Sequence, residues 1–361
     1  LGSGKRLQRL VAPASLHAFA RACFAAVGVA KRDADWSATA LIESDLRGIS
    51  SHGVMRLPWY LYGLKSGKIN PNPRLGWERT GPVTAVLDAD DALGFVSAKE
   101  AAAYAVELAR ETGLGAVAVR RANHCGALFL YAEWATLYGM VGLCCANTYP
   151  ALALPGGRQP LIGTNPIAFA APTPLDYPLS IDLSTSAISR GAVIERAQRG
   201  ERLPDGVAVD EDGEPTTDPH RALAGALLPM GGAKGYALAL MVEVLAGVLA
   251  GAHVAGDVGF MFADDGKPPG NGFFYLALHP EFFVGQEAFL ERMALLVAEI
   301  HDAPSAKGQP ISVPGERRHR ERLARSRRGI PISDEVWADL AALADRHGIP
   351  LPEVWGMEDG A

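Results

Sequence analysis

Gly115-Ala116-Val117-Ala118-Val119 leads within two residues into Arg121-Ala122-Asn123-His124-Cys125-Gly126-Ala127. The first stretch reads as a buried strand. The second follows it directly and opens a helix over 127–138. Upstream, Thr84-Ala85-Val86-Leu87-Asp88 is a strand and 97–112 an alanine-rich helix. Downstream, 140–145, 167–170 and 179–183 are further strands. Strand alternating with helix predicts a mixed α/β domain. Such folds place ligands outside the carboxyl ends of strands. The turn at Asn123-His124 is therefore a candidate site, although a lone His124 also reads as a satisfied, partly buried histidine.

Outward from this core, 13–28 and 33–47 read as helices. Asp33 or Asp35 is placed to cap the second and Gly48 to end it. Pro58 begins the next helix. Between them lies Ser50-Ser51-His52-Gly53-Val54-Met55-Arg56. Ser51 and His52 can handle a proton, and Arg56 can hold a carboxylate. Residues 70–82, rich in Pro, Gly and Asn, mark a connection. A long helix is expected over 234–250, a strand over 272–278, and helices over 284–302 and 333–346.

The chain has 361 residues, 48% of them hydrophobic and 20% charged, which fits a globular protein with a sizeable core. The net charge of −6 disfavours a general role on nucleic acid or an anionic membrane. The basic run from Arg317 to Arg328 reads either as a solvated helix face or as a local anion site. Cys23, Cys125, Cys144 and Cys145 form no CxxC pair and predict buried thiols in a reducing, cytoplasmic setting. Leu1-Gly2-Ser3-Gly4 reads as a cloning remnant. The apolar stretch 236–252 carries Glu243 and reads as a buried helix, not a membrane span.

Several common chemistries lack their signatures. Gly-x-Gly-x-x-Gly between strand and helix is absent, as is a phosphate loop ending in Gly-Lys-Ser/Thr. Gly231-Gly232-Ala233-Lys234-Gly235 is either an anion-binding helix start or a tight turn with a surface lysine. The histidines and cysteines lack metal-ligand spacing, so no metal is expected. Gly-x-Ser-x-Gly is missing, and Ser51 beside His52 makes no triad because neighbouring side chains point apart. Asp182-Leu183-Ser184-Thr185-Ser186 ends a strand; by itself it reads as a helix cap through Ser184 or Ser186. Gly163-Thr164-Asn165-Pro166 reads as a turn.

In this order and spacing, these segments resemble the malate/L-lactate dehydrogenase type 2 family. That group also holds ureidoglycolate, sulfolactate and diketogulonate oxidoreductases and the Δ1-piperideine-2-carboxylate reductases. The segments carrying the resemblance are Ser51-His52-Gly53, Asn123-His124, 163–169, Asp182 to Ser186, 210–219 and Lys234-Gly235 to Glu243; it spans about 6 to 348. It implies an α/β, non-Rossmann NAD(P)-binding fold with a mixed sheet and flanking helical regions. One unit is expected, with an N-terminal helical region over 5–75, an NAD(P)-binding and substrate region over 76–280, and C-terminal helices over 281–361 packing back on the N-terminal part. NAD or NADP would be the cofactor and a small carboxylic acid the substrate, in a homodimer or an assembly of dimers. No nucleic acid or membrane partner is expected.

By position, the resemblance makes His52 the proton donor and Ser51 its relay, with His124 a second candidate. Arg56 would hold the carboxylate, and Thr164, Arg190 and Gly191 would meet substrate. The cofactor would lie against His124, Cys125, Gly126, Ala127 and Leu128, then Asp182, Leu183 and Ser184. Ala233 with Lys234, and the 312–318 segment through Pro314, Gly315, Glu316 and Arg317, would complete its contacts. Two departures stand out: Cys125 replaces a phenylalanine common in the family, and Arg190-Gly191-Ala192 replaces the His-Gly-Asp of the cyclic-imine reductases. The second leans toward an oxo or hydroxy acid with a second anionic group. Reduction of cyclic or N-alkyl imino acids is the alternative, and a noncatalytic NAD(P)H-binding protein is the alternative of another class.

Overall fold

The computed structural model describes residues 7–261, 263, 265–306 and 311–359. Leu1-Gly2-Ser3-Gly4 lies outside them. Strand β1 (Leu7–Val11) precedes helices α1 (Pro13–Ala26) and α2 (Lys31–Leu46). In α2, Ala34, Ala38, Leu41, Ile42 and Asp45 are buried at helical spacing. This helix starts at Lys31, so neither Asp33 nor Asp35 caps it; Asp33 sits in the first turn, where its charge still favours the helix dipole. Gly48, at φ +75°, does end it. Two 3₁₀ turns follow, Ser50–His52 and Val54–Arg56, then α3 (Leu57–Lys65) with Pro58 in its first turn.

The middle of the chain builds a sheet from β2 (Gly76–Arg79), β3 (Thr84–Asp88), β4 (Leu114–Ala122), β5 (Val141–Ala146), and later strands. Helix α4 (Gly94–Thr112) links β3 to β4, and α5 (Phe129–Thr136) links β4 to β5. Strand β2 lies within the stretch expected to be only a connection, where it pairs with β3 as an exposed edge. Short strands β6 (Leu152–Ala153) and β7 (Pro160–Ile162) lead to β8 (Ile167–Ala171) and β9 (Leu179–Leu183). Next come α6 (Arg190–Arg199), β10 (Ala208–Val209), α7 (Pro219–Ala224), β11 (Ala226–Leu227) and α8 (Ala233–Val242).

The helix expected over 234–250 forms as one helical run over 233–248, but its hydrogen-bond register changes along the way. After α8 the backbone passes into a π-turn, Glu243–Val248. Strand β12 (Asn271–Leu278) then inserts antiparallel between β4 and β5, completing a seven-stranded sheet of order β2-β3-β4-β12-β5-β8-β9. Within that sheet β3 and β4 pair in parallel and the other pairs are antiparallel. A small sheet, β10-β11-β6-β7, lies apart. The chain ends with α9 (Gln286–Asp302), α10 (Glu316–Arg328), β13 (Ile330–Ile332), α11 (Asp334–His347) and β14 (Val354–Asp359). Strands β13 and β14 flank β1, tying both ends of the described chain together. Helix α10 docks on α2: Arg322 meets Glu43 at 2.8 Å, and Arg325 Nη1 donates to the Asp45 carbonyl at 2.8 Å. No described helix is long and apolar enough to cross a membrane.

Candidate active site

A cavity of about 450 Å³ lies where the 3₁₀ turns before α3 face the β4–α5 turn and the ends of β8 and β9. Most residues singled out in the sequence line it: Ser51, His52, Arg56, His124 to Leu128, Thr164, Asp182 to Ser184, Arg190 and Gly191. Others do not. Ala233 and Lys234 are exposed at the start of α8. Pro314, Gly315 and Arg317 also lie off its lining, and buried Glu316 turns to His301 at 3.1 Å and to the Val313 N–H at 3.2 Å. From the 312–318 segment, Arg318 reaches the wall.

Ser51 and His52 do not point apart. The 3₁₀ turn bends the backbone so that Ser51 Oγ sits 3.0 Å from His52 Nδ1. Gly53 makes that turn possible, since a Cβ there would lie 1.9 Å from Asp45 Oδ1. Buried Asp45 accepts the Val54 N–H at 2.8 Å and so anchors the turn to α2. Burial pushes the Asp45 carboxyl up to about 7. Gly191 allows the start of α6 to close on the same turn, because a Cβ there would meet Ser51 Cβ at 2.8 Å.

Arg56 donates through Nε to the Ser51 carbonyl at 2.7 Å, and its guanidinium lies 4.0 Å from the Trp59 ring centroid. Burial holds its pKa below the ordinary arginine value, against the pull of Tyr60, Tyr149 and Glu195. Arg190 lies 5.5 Å from the Tyr149 ring centroid and donates to the Leu223 carbonyl at 3.3 Å. Among the described residues neither guanidinium is ion-paired with a carboxylate. Trp59 and Tyr149 line the cavity without a sequence signal, apart from Trp59's place three residues after Arg56.

The His124 and His52 rings stack at 5.8 Å between centroids. Tyr60, fully buried, places its hydroxyl 2.6 Å from His124 Nδ1, and the Gly126 N–H donates to the same nitrogen at 3.4 Å. A backbone N–H only donates, so His124 Nδ1 is the bare nitrogen and Nε2 carries the proton. Burial, with nearby positive groups, holds His52 down to about 4 and His124 to about 3. Both rings are neutral at neutral pH.

On the opposite side Asp182 accepts the Phe129 N–H at 3.0 Å, so it caps α5. The expected cap by Ser184 or Ser186 is replaced: Ser189 caps α6 by accepting the Ala192 N–H at 3.2 Å, while Ser186 donates to the Ile188 carbonyl. Arg318 donates from Nη2 to the Asp182 carbonyl at 3.0 Å, and among the described residues its buried Nη1 has no partner. That orphan N–H, on a wall with the apolar atoms of Leu128, Pro166 and Leu183, fits a ligand with acceptor groups and a flat ring. A nicotinamide cofactor has both. Cys125 is buried in the same wall, its carbonyl held by the Tyr131 hydroxyl at 2.6 Å.

A sequence model described as malate/L-lactate dehydrogenase matches residues 11–341. The L-sulfolactate dehydrogenase of Methanocaldococcus jannaschii is 39% identical over 326 residues, covering 90% of this chain and 94% of that protein. The (2R)-3-sulfolactate dehydrogenase (NADP(+)) of Chromohalobacter salexigens is 37% identical, covering 94% of this chain and 99% of that one. The ureidoglycolate dehydrogenase (NAD(+)) of Escherichia coli O157:H7 is 33% identical, covering 87% and 89%. The solved sulfolactate dehydrogenase of M. jannaschii superposes with a TM-score of 0.88 at 37% identity, over 94% of this chain and 98% of that one. The chain belongs to the malate/L-lactate dehydrogenase family and is a nicotinamide-dependent dehydrogenase.

Proposed function

We propose that the substrate is a small dianionic 2-hydroxy acid, or its 2-oxo counterpart, of the malate or sulfolactate kind. The observation that carries this reading is the pair Arg56 and Arg190. Both guanidiniums line one cavity, each lies near an aromatic ring, and among the described residues neither is ion-paired with a carboxylate. Two such charges in a half-buried wall favour a ligand with two anionic groups. A monoanion leaves one of them unmet. Sulfolactate dehydrogenases among the relatives support the reading.

Arg56, whose Nη groups make no hydrogen bond among the described residues, grips the C1 carboxylate with two parallel hydrogen bonds. Arg190 meets the second anion, and Thr164 borders the substrate. His124, as the Nε2–H tautomer, donates to the C2 oxygen and holds it in place. His52 takes the hydroxyl proton during oxidation, with Ser51 holding its other nitrogen. In reduction His52 delivers a proton, and a bound carboxylate raises its pKa toward that task. When bound, the cofactor takes or supplies the hydride at C2. Arg318, Asp182 and the 124–128 turn would hold it.

The test is a panel of malate, sulfolactate, lactate and ureidoglycolate with both cofactors, run on wild type and Arg190→Leu. Wild type is expected to favour the dianions in kcat/KM, and the variant to lose that preference by about 10- to 100-fold, the scale of one charge-assisted hydrogen bond. A wild-type enzyme that prefers lactate overturns the reading. A homodimer is also proposed; Met241, Val244 and Val248, exposed on one face of the α8 region, fit a second copy, and sedimentation velocity measures it.

A further inference from the structure

Glu243 is the single charged residue in the apolar stretch 236–252. It is 6% exposed and opens the π-turn. A carboxylate so placed is costly unless its oxygens are satisfied. They are satisfied by N–H donors. Oε1 accepts from Asn147 Nδ2 at 3.3 Å and from the Ala255 N–H at 2.7 Å. Oε2 accepts from Asn165 Nδ2 at 2.7 Å.

Both asparagines are fully buried and fully used. Asn165 also donates to the Ala239 carbonyl at 3.0 Å and accepts the Thr148 N–H at 3.1 Å, which fixes its amide orientation. Its backbone sits at φ +33°, unusual for a residue with a side chain, and this network holds it there. Asn147 donates to the His253 carbonyl at 2.7 Å and accepts the Gly272 N–H at 2.8 Å. One carboxylate thus ties together the end of β5, the turn before β8, the entry to β12 and the segment at Ala255. The residues beside those anchors face the cavity: Thr148 and Tyr149 after Asn147, and Thr164 before Asn165. Tyr149 is the ring beside Arg190.

We infer that Glu243 is a positioning residue for the substrate half of this site, setting Thr164 and the Tyr149–Arg190 pair from behind the wall. The inference rests on the functional reading above for its kinetic consequence. Three donors converge on two oxygens, and glutamine offers one oxygen. Its amide N–H would face an N–H that cannot turn away, because Ala255 donates from backbone and Asn165 is held by Thr148.

The test is Glu243→Gln in the full chain. KM for the dianionic substrate is expected to rise about tenfold, the scale of one lost buried hydrogen bond. Cofactor Kd should stay within about twofold, and amide exchange should quicken at 147–149 and 163–165 with little change in α1 and α2. Wild-type KM, or wild-type exchange in those two segments, overturns the inference. So does an equal loss of substrate and cofactor affinity, which marks general damage. If wild type turns over no 2-hydroxy acid, the functional reading fails and the exchange pattern alone decides the Glu243 role. If the variant does not fold, Asn147→Ala, which removes one donor from Oε1, must raise KM in the same direction or the inference falls.

Discussion

His52 is chemically ordinary in the sequence and becomes specific through what surrounds it. Its ring is neutral, half-buried, bonded to Ser51 and stacked on His124. His52→Ala is expected to cut kcat by about 10²–10⁴ while leaving cofactor affinity nearly unchanged. Single-turnover kinetics with a separate cofactor titration checks this, and near-wild-type turnover removes His52 from the proton step. Tyr60→Phe removes the stronger of the two donors to His124 Nδ1. Turnover should fall about tenfold, and the ring-nitrogen NMR shifts should show a mixed tautomer. An unmixed Nε2–H signal with unchanged turnover defeats the tautomer argument. At this scale Ser51, His52 and Arg56 were legible because they lie close together in sequence. Tyr60 was read only as part of a helix, since nothing local says that its hydroxyl meets a residue from the β4–α5 turn.

The 3₁₀ turns between α2 and α3 are the element on which the site depends. Gly53→Ala puts a methyl group into the Asp45 carboxylate. The backbone must shift, at a cost of about 1–3 kcal/mol, and Ser51 and His52 shift with it. A thermal melt should show a drop of a few degrees for a chain this long, with activity lost more than stability. A variant with wild-type Tm and kcat would mean that the turn tolerates movement. Gly48 as the end of α2 and Pro58 at the start of α3 were legible, because glycine readily takes the positive φ that stops a helix and the proline ring fixes its own φ. The start of α2, the π-turn at Glu243 and the cap by Ser189 were not. Those depend on which hydrogen-bond partners the rest of the molecule supplies.

At the scale of the whole molecule, burial of the two histidines couples folding to pH. Both titrate near 6.5 when unfolded, but at about 4 and about 3 in the fold. The unfolded chain therefore takes up protons that the folded chain refuses. Their contribution to stability is present above about 6.5 and is lost as pH falls from there. Asp45 opposes them: raised from 3.8 to about 7, it favours the fold at low pH and loses that contribution as pH rises through 7. Two imidazoles outweigh one carboxyl between pH 5 and 6.5, so Tm is expected to peak near pH 7 and to fall toward pH 5. His52→Gln should reduce that slope. A flat Tm between pH 5 and 7 in wild type defeats the argument. The sheet follows the same division. The β3-α4-β4 unit could be read along the chain, whereas β12 slides between β4 and β5 from far downstream and makes most of the sheet antiparallel.

By itself, the sequence determined the alternation of strand and helix, the chemistry-bearing side chains and, through their ordered motifs, the family. These follow from local spacing and residue type, which need no knowledge of distant chain. Only the tertiary structure decided that Arg56 and Arg190 share a cavity, that Arg318 and not Lys234 lines its wall, and that both histidines are neutral. Charge state, tautomer and convergence depend on desolvation and on partners brought from elsewhere in the chain, and folding alone supplies those.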